Sequence, residues 1–277
     1  MTKHTARNGA AVVLIILALA TAFYFSPMDS GDDWQTFRAG SLNILSGQSI
    51  YTPFTHTRFG IQVFNNPPHV AFLLLPFAVL PERAGWAVLC ALTLVSVVAL
   101  GYFWRFPPST LLAALLSPFV LYLLLHGQVD AVLMAVVLLP RWTWVAAALG
   151  KPQAAAGLAL ESLRDWRAWL LLLALVLLVV VYRYWEAIDA NAHLVDASFN
   201  VWRGIWPLQV PVGIALVLSG WHKRDVRLLL AASPLLVPYA TIGSLLPIWI
   251  AACASLNRWV ALATWAAIWL VLLRNGL

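Results

Sequence analysis

Ser26–Pro68 reads SPMDSGDDWQTFRAGSLNILSGQSIYTPFTHTRFGIQVFNNPP. It is the longest stretch of this chain that a bilayer cannot take in as an apolar span. Ala10–Phe25 before it and Pro67–Leu80 after it are apolar runs. Within it, Trp34, Phe37, Leu42 and Leu45 recur at helical spacing, which predicts an amphipathic helix over Asp33–Leu45 lying in the plane of a membrane interface. Ser30 or Asp32 is placed to cap its start, and Gly47 stands just past its end. Gly47–Thr57 is turn-like, and Phe59–Phe64 is a short apolar stretch.

The rest of the chain sets the class. Of its 277 residues, 62% are hydrophobic and 10% charged, against about 45–50% and about 25% in a soluble domain. Apolar runs recur along the whole length, about eight to ten of them, and this predicts an all-α, polytopic helical membrane protein. No repeat or separable soluble domain interrupts it, so residues 1–277 form a single transmembrane domain. The 15 Trp suit interfacial belts. The net charge of +6 is spread over short loops without a basic block, which argues against nucleic-acid binding. Cys90 and Cys253 both fall inside apolar runs, so no disulfide framework is expected.

Lys3 and Arg7 precede the first apolar run, and no clear small-x-small cleavage site follows it. The run reads as a retained span with its N-terminus in the cytoplasm, which puts Ser26–Pro68 outside. Strict alternation then puts the second long polar loop, Arg183–Arg203, outside and the basic Trp221–Arg227 inside. Ala84–Trp104 is a clean span. The middle is broken: Ser109–Leu125 ends at His126-Gly127-Gln128, and Trp142–Leu160 is interrupted by Gly150-Lys151-Pro152-Gln153. Such breaks suit re-entrant hairpins, tolerated where backbone is buried in protein or lines a wet cavity.

Few residues can carry chemistry. Asp33 with Asp32 serves either as a helix cap worth about 1 kcal/mol or as a carboxylate base at the membrane–water boundary. With no Asp-x-Asp pair and no second acidic cluster, a metal-ligand role is the weaker version. Lys151 lies among apolar residues, where a lysine costs roughly 2.5–3.5 kcal/mol. It therefore snorkels at a helix end or needs an anion or a wet cavity, and a phosphate of a lipid-linked substrate would serve. His126-Gly127-Gln128 with Asp130 is a loop or lines the same cavity. His193 near Asp196 is a weak triad hint, and Tyr239 faces the cavity or anchors an interface. Zinc, nucleotide and dinucleotide motifs are absent.

Five pieces in order resemble the polyprenol-phosphate-mannose-dependent α-mannosyltransferase-like family of the glycosyltransferase C superfamily. They are GDDWQTFRAGSLNILSGQSIY (31–51), NNPPHVAFLLLPFAVLP (65–81), HGQVDAVLMAVVLL (126–139), ALGKPQAAAGLAL (148–160) and SPLLVPYA (233–240). The resemblance implies a glycosyltransferase C-like fold in a bacterial plasma (inner) membrane, with the active site facing the periplasm. It implies inverting transfer of a sugar, mannose or another hexose or pentose, from a polyprenyl-phosphate donor to a lipid or glycan acceptor. By the same resemblance Asp33 is the catalytic base. Asp32, Arg38, Tyr51, Asn66, His69, His126, Gln128, Lys151, Gln153, His193 and Tyr239 are the candidate substrate-binding residues. Phe37 and Gly47 match framework positions. Lys151, with Arg38, would meet the leaving phosphate, so neither a metal nor another cofactor is expected. The chain is shorter than the usual members, and Tyr239 stands where a His is often found.

Two other readings stay open. Broken helices and a buried lysine also suit a transporter or flippase of a lipid-linked sugar, although no internal repeat is present. A non-catalytic membrane scaffold is the third.

Overall fold

The computed structural model describes residues 3–56 and 60–274. The chain is mostly helical, in keeping with its apolar runs. The all-α expectation needs one correction, a small β-hairpin in the first loop. There β1 (Phe54–His56) pairs antiparallel with β2 (Gly60–Gln62), placing Thr55 opposite Ile61.

The first helix, α1, spans Lys3–Tyr24. The predicted loop helix is α2 (Asp32–Leu45). Trp34, Thr36, Phe37, Gly40 and Ser41 form its buried face, while Leu45 is exposed. Two cap expectations are corrected. Gly31 occupies the N-cap with no side-chain cap bond, because the Ser30 hydroxyl donates instead to the Glu82 carboxylate. Gly47 does lie past the end, at φ +67°, a conformation that glycine adopts without strain. Helix α3 (Pro68–Ala78) starts at a proline, whose missing N–H is no loss in a first turn. Helix α4 (Glu82–Phe103) is the predicted clean span. Here α1 lies along α4, and α2 lies on α3.

The middle of the chain is broken into short pieces. Helices α5 (Pro108–Leu115) and α6 (Pro118–His126) are bent by 42° against each other. Pro118 has no N–H to continue the ladder, and the Ser117 hydroxyl restarts it by accepting from the Val120 N–H at 3.3 Å. Then come α7 (Asp130–Met134), α8 (Trp144–Gly150), α9 (Pro152–Ala155) and α10 (Ala159–Ser162). Lys151 is the break between α8 and α9, at φ −146° and ψ 87°. The buried Glu161 carboxylate holds these pieces together by pairing with Arg141 at 2.9 Å and Arg164 at 3.0 Å.

Helices α11 (Trp166–Val181) and α12 (Trp185–Ala190) follow, with a 68° bend between α11 and the segment that begins with α12. The second polar stretch is thus partly helical rather than a plain loop. The chain continues through α13 (Val210–Lys223), α14 (Val226–Ala232), α15 (Leu246–Ser255) and α16 (Arg258–Arg274).

Among the described residues, α4 alone is long and apolar enough to cross a membrane, and the number rises to three if each bent pair is one span. Helix α11 turns Trp169, Leu170, Leu173, Leu177 and Val181 outward, an apolar surface of the kind a bilayer covers. The tryptophans divide between two roles. Trp166, Trp169 and Trp259 are exposed, as an interfacial belt needs. Trp34, Trp86, Trp144 and Trp249 are buried. Trp34 and Trp86 spend their indole N–H groups on the Glu82 and Leu124 carbonyls, at 2.9 Å and 3.2 Å.

Candidate functional site

The site forms where the first turn of α2 meets the end of α6. Helix α6 stops because Gly127 takes the left-handed conformation, φ +69°, which turns the chain back so that Gln128 and Asp130 follow at once. Gly31 permits the approach from the other side. A Cβ added there would lie 2.2 Å from the His126 carbonyl carbon, so no larger residue fits without moving backbone. The close contact sets Asp32 and Asp33 beside His126 and Gln128.

The two acids are treated differently. Asp32 Oδ1 pairs with His126 Nδ1 at 2.6 Å, and Tyr122 stacks on the same imidazole with ring centroids 4.1 Å apart. Burial pushes the Asp32 carboxyl upward, but the His126 hydrogen bond and charge outweigh it and leave the carboxyl below its usual range. Asp33 Oδ2 accepts from the Gln128 side-chain amide. Its desolvation is stronger, only partly opposed by the Lys151 charge, and the carboxyl is pushed up to about 6. One helix turn therefore carries one acid held ionised and one poised near neutrality.

Behind Asp33 the network runs inward. Gln128 accepts from the Lys151 ammonium through Oε1. Lys151 pairs with Asp130 at 3.1 Å and lies 5.7 Å from the centroid of the Phe37 ring. Of the three settings open to Lys151, the structure shows an anionic partner, and it is Asp130, a carboxylate of the same chain.

In front of the acids lies a cavity of about 510 Å³, within the range of small-molecule sites. Asp32, Asp33, His126, His193 and Tyr239 all line it, so the structure brings together candidates spread over two hundred residues of sequence. Tyr122, Thr241, Asn65 and Phe199 also line it and escaped the sequence reading. Two of them left a signal. Tyr122 precedes His126 by four residues, the spacing of helix neighbours. Tyr239 and Thr241 alternate about the buried Ala240 in a non-helical stretch, where every second residue shares a face. A smaller cavity of about 260 Å³, bordered by Met28, Ser30 and Leu125, meets the first at Asp32 and His126.

The remaining candidates do not border the large cavity. Lys151 and Gln128 stand behind Asp33 in the network just described. Arg38 donates to the Leu80 carbonyl at 3.4 Å and ties α2 to the end of α3. His69 Nε2 contacts the Ala146 carbonyl at 2.9 Å, joining α3 to α8. Tyr51 donates to the Asn66 carbonyl at 3.3 Å, and the Asn66 amide donates to the Asn65 side chain at 2.7 Å. These two carry the cavity wall that Asn65 presents. Gln153 is half-buried in α9. Asp196 lies in the second polar stretch but does not border the cavity, so it forms no triad there with His193.

Asn200 was also missed, and it holds the far wall. Its amide donates to the Val195 and Pro238 carbonyls at 2.7 Å and 3.0 Å, and its Oδ1 accepts from the Trp202 and Ala240 N–H groups, each at 3.1 Å. It staples the segment carrying His193 to the one carrying Tyr239.

Asp32, Asp33 and His126 offer ligand atoms within 4.8 Å of one another, close enough for a divalent cation. In the structure the 2.6 Å bond between His126 Nδ1 and Asp32 Oδ1 joins two of these three groups directly. No family model, curated protein or solved structure matches the chain.

Proposed function

We propose that the chain is a polytopic membrane glycosyltransferase that moves a sugar from a polyprenyl-phosphate donor to a lipid or glycan acceptor at the extracytoplasmic face, with inversion. The observation that carries this reading is Asp33, a carboxyl raised to about 6 in the wall of a 510 Å³ cavity. A base works best when its pKa lies near the working pH. The ordered sequence motifs supply the substrate class.

Asp33 takes the proton of the acceptor hydroxyl. That oxygen bonds to the anomeric carbon while the bond from this carbon to the phosphate oxygen breaks on the opposite face. Polyprenyl phosphate leaves as an anion. Lys151 and Arg38, the cations first considered for it, are engaged elsewhere, with Asp130 and with the Leu80 carbonyl. His126 lines the cavity and is held by Asp32, but its ligand atom lies within 4.8 Å of the Asp33 carboxyl. It therefore stands on the side of the base and is assigned to holding Asp32, not to the charge that departs on the opposite face.

The test is transfer of labelled sugar from a synthetic polyprenyl phosphate in detergent, for the wild type and Asp33→Asn. The reading expects transfer by the wild type, undiminished by EDTA, and none by the folded variant. Full activity in Asp33→Asn would remove the base. Movement of intact donor across vesicles without sugar transfer would instead favour a flippase.

A further inference from the structure

Lys151 is a buried cation that the proposed reaction leaves without a task. Its geometry supplies one. A lysine ammonium only donates hydrogen bonds, and an ionised carboxylate only accepts them, whereas a glutamine amide has one end of each kind. Gln128 sits between Lys151 and Asp33, so its orientation is forced. Oε1 must face Lys151, and the NH₂ must face Asp33 Oδ2. Lys151 is itself held by charge, since the Asp130 carboxylate, with no exposed surface and no hydrogen bond of its own among the described residues, lies 3.1 Å from the ammonium. The chain Asp130–Lys151–Gln128–Asp33 thus runs from the interior to the cavity wall.

A consequence follows for the proton. A proton on Oδ2 would turn a carboxylate acceptor of the Gln128 NH₂ into a weaker hydroxyl acceptor, and with its hydrogen aimed at Gln128 the amide would have to turn over. It would then present its NH₂ to an ammonium, donor against donor. Protonation on Oδ1 disturbs nothing, and Oδ1 has no hydrogen bond to the described residues. We propose that Lys151, clamped by Asp130, is a positioning residue that fixes the Gln128 amide and so makes Asp33 take its proton on Oδ1. This rests on the reading of Asp33 as the base, and it gives Lys151 a role distinct from phosphate binding.

The groups that act on Asp33 are Asp32 on its own helix, His126 and Tyr122 from α6, Asp130 from α7, Lys151 and Tyr239. A variant must change the relay without leaving a lone buried charge. The double variant Asp130→Asn/Lys151→Met removes both charges together. Gln128→Leu removes the amide and leaves the Lys151–Asp130 pair intact, and it serves if the double variant fails to fold.

The expected result is a split in kinetic constants. Loss of an oriented base lowers kcat by about 10- to 100-fold, with donor KM changed less than about twofold. A raised donor KM with unchanged kcat would overturn the proposal and return Lys151 to the phosphate.

A second readout needs no activity. Carbodiimide labels protonated carboxyls, so its yield at Asp33 against pH, read by mass spectrometry, gives a midpoint. Gln128→Leu removes the donor to the carboxylate while keeping both charges, so its midpoint should rise and is the one that tests the relay; in the double variant the loss of the Lys151 charge raises the midpoint by itself. An unchanged midpoint would overturn the relay even if the wild type proved inactive. A raised midpoint in an inactive wild type would keep the relay and reject the enzyme reading.

Discussion

Replacing Asp33 by Asn should stabilise the protein at neutral pH while ending its activity. The carboxyl is raised from 3.8 to about 6, chiefly by desolvation. The native state therefore holds this proton more tightly than the unfolded chain does. Between those two values, stability falls as the pH rises, and above about 6 the full penalty of an ionised Asp33 is present. At 1.36 kcal/mol per pKa unit the penalty is about 3 kcal/mol as a ceiling. Asn is neutral at every pH and keeps an oxygen to accept the Gln128 bond, so it escapes the penalty. The assay is the thermal midpoint of wild type and variant in detergent from pH 4.5 to 7.5. The variant should lie higher throughout, by a gap that widens as the pH rises from 4.5 to about 6 and stays constant above it. Asp32 supplies the control. Its carboxyl lies below its usual range because of His126, so its contribution is present above about 3.8 and lost as the pH falls through the depressed value. Asp32→Asn should therefore lower the midpoint at neutral pH. Two neighbouring acids with opposite signs is a demanding outcome. If Asp33→Asn is neutral or destabilising across the range, the carboxyl is not the desolvated group described, and its assignment as base loses its physical support.

Three further outcomes are expected. The rate of sugar transfer should have an acid limb centred near pH 6, falling about tenfold per unit below it as Asp33 is protonated, where an ordinary aspartate would leave the rate flat to about pH 4. Gly31→Ala should cost about 1–3 kcal/mol and most of the activity, because the new methyl meets the His126 carbonyl carbon at 2.2 Å; midpoint and transfer rate would be measured together. Asn200→Ala should cost about 1–3 kcal/mol by breaking four hydrogen bonds, and Phe199, in the cavity wall beside it, should become more accessible to limited proteolysis by chymotrypsin.

What the sequence revealed was mostly local. Helix α2 was legible because Trp34 and Phe37 share one face, and its end was legible from Gly47. The span at α4 was legible because apolar length alone decides it. The N-cap was misread because Ser30 found a better partner in Glu82, more than fifty residues away, and no local pattern records such a competition. The hairpin of β1 and β2 was missed because three-residue strands show almost no alternation. Asn200 gave no warning at all, since a staple between two segments resembles any polar loop residue. Lys151 was recognised as a residue in need of a helix end, an anion or a wet cavity, yet its sequence neighbours could not say which, nor whether an anion was a substrate or Asp130.

That ambiguity is physical and has a general form. In an apolar chain each buried polar group must find a partner, and there are few partners to find. Among the buried polar residues here, Asp130 and Lys151 neutralise each other, so neither has charge to spare for a ligand. Gln128 is neutral and carries only orientation outward. Desolvation at Asp33 is then only partly offset by the Lys151 charge, which is why its carboxyl rises to about 6 although a lysine stands behind it. Had Lys151 reached Asp33 directly, the ion pair would have held the acid well below neutrality and spoiled it as a base. The glutamine between them keeps the cation close enough to fix the geometry and far enough to leave the basicity.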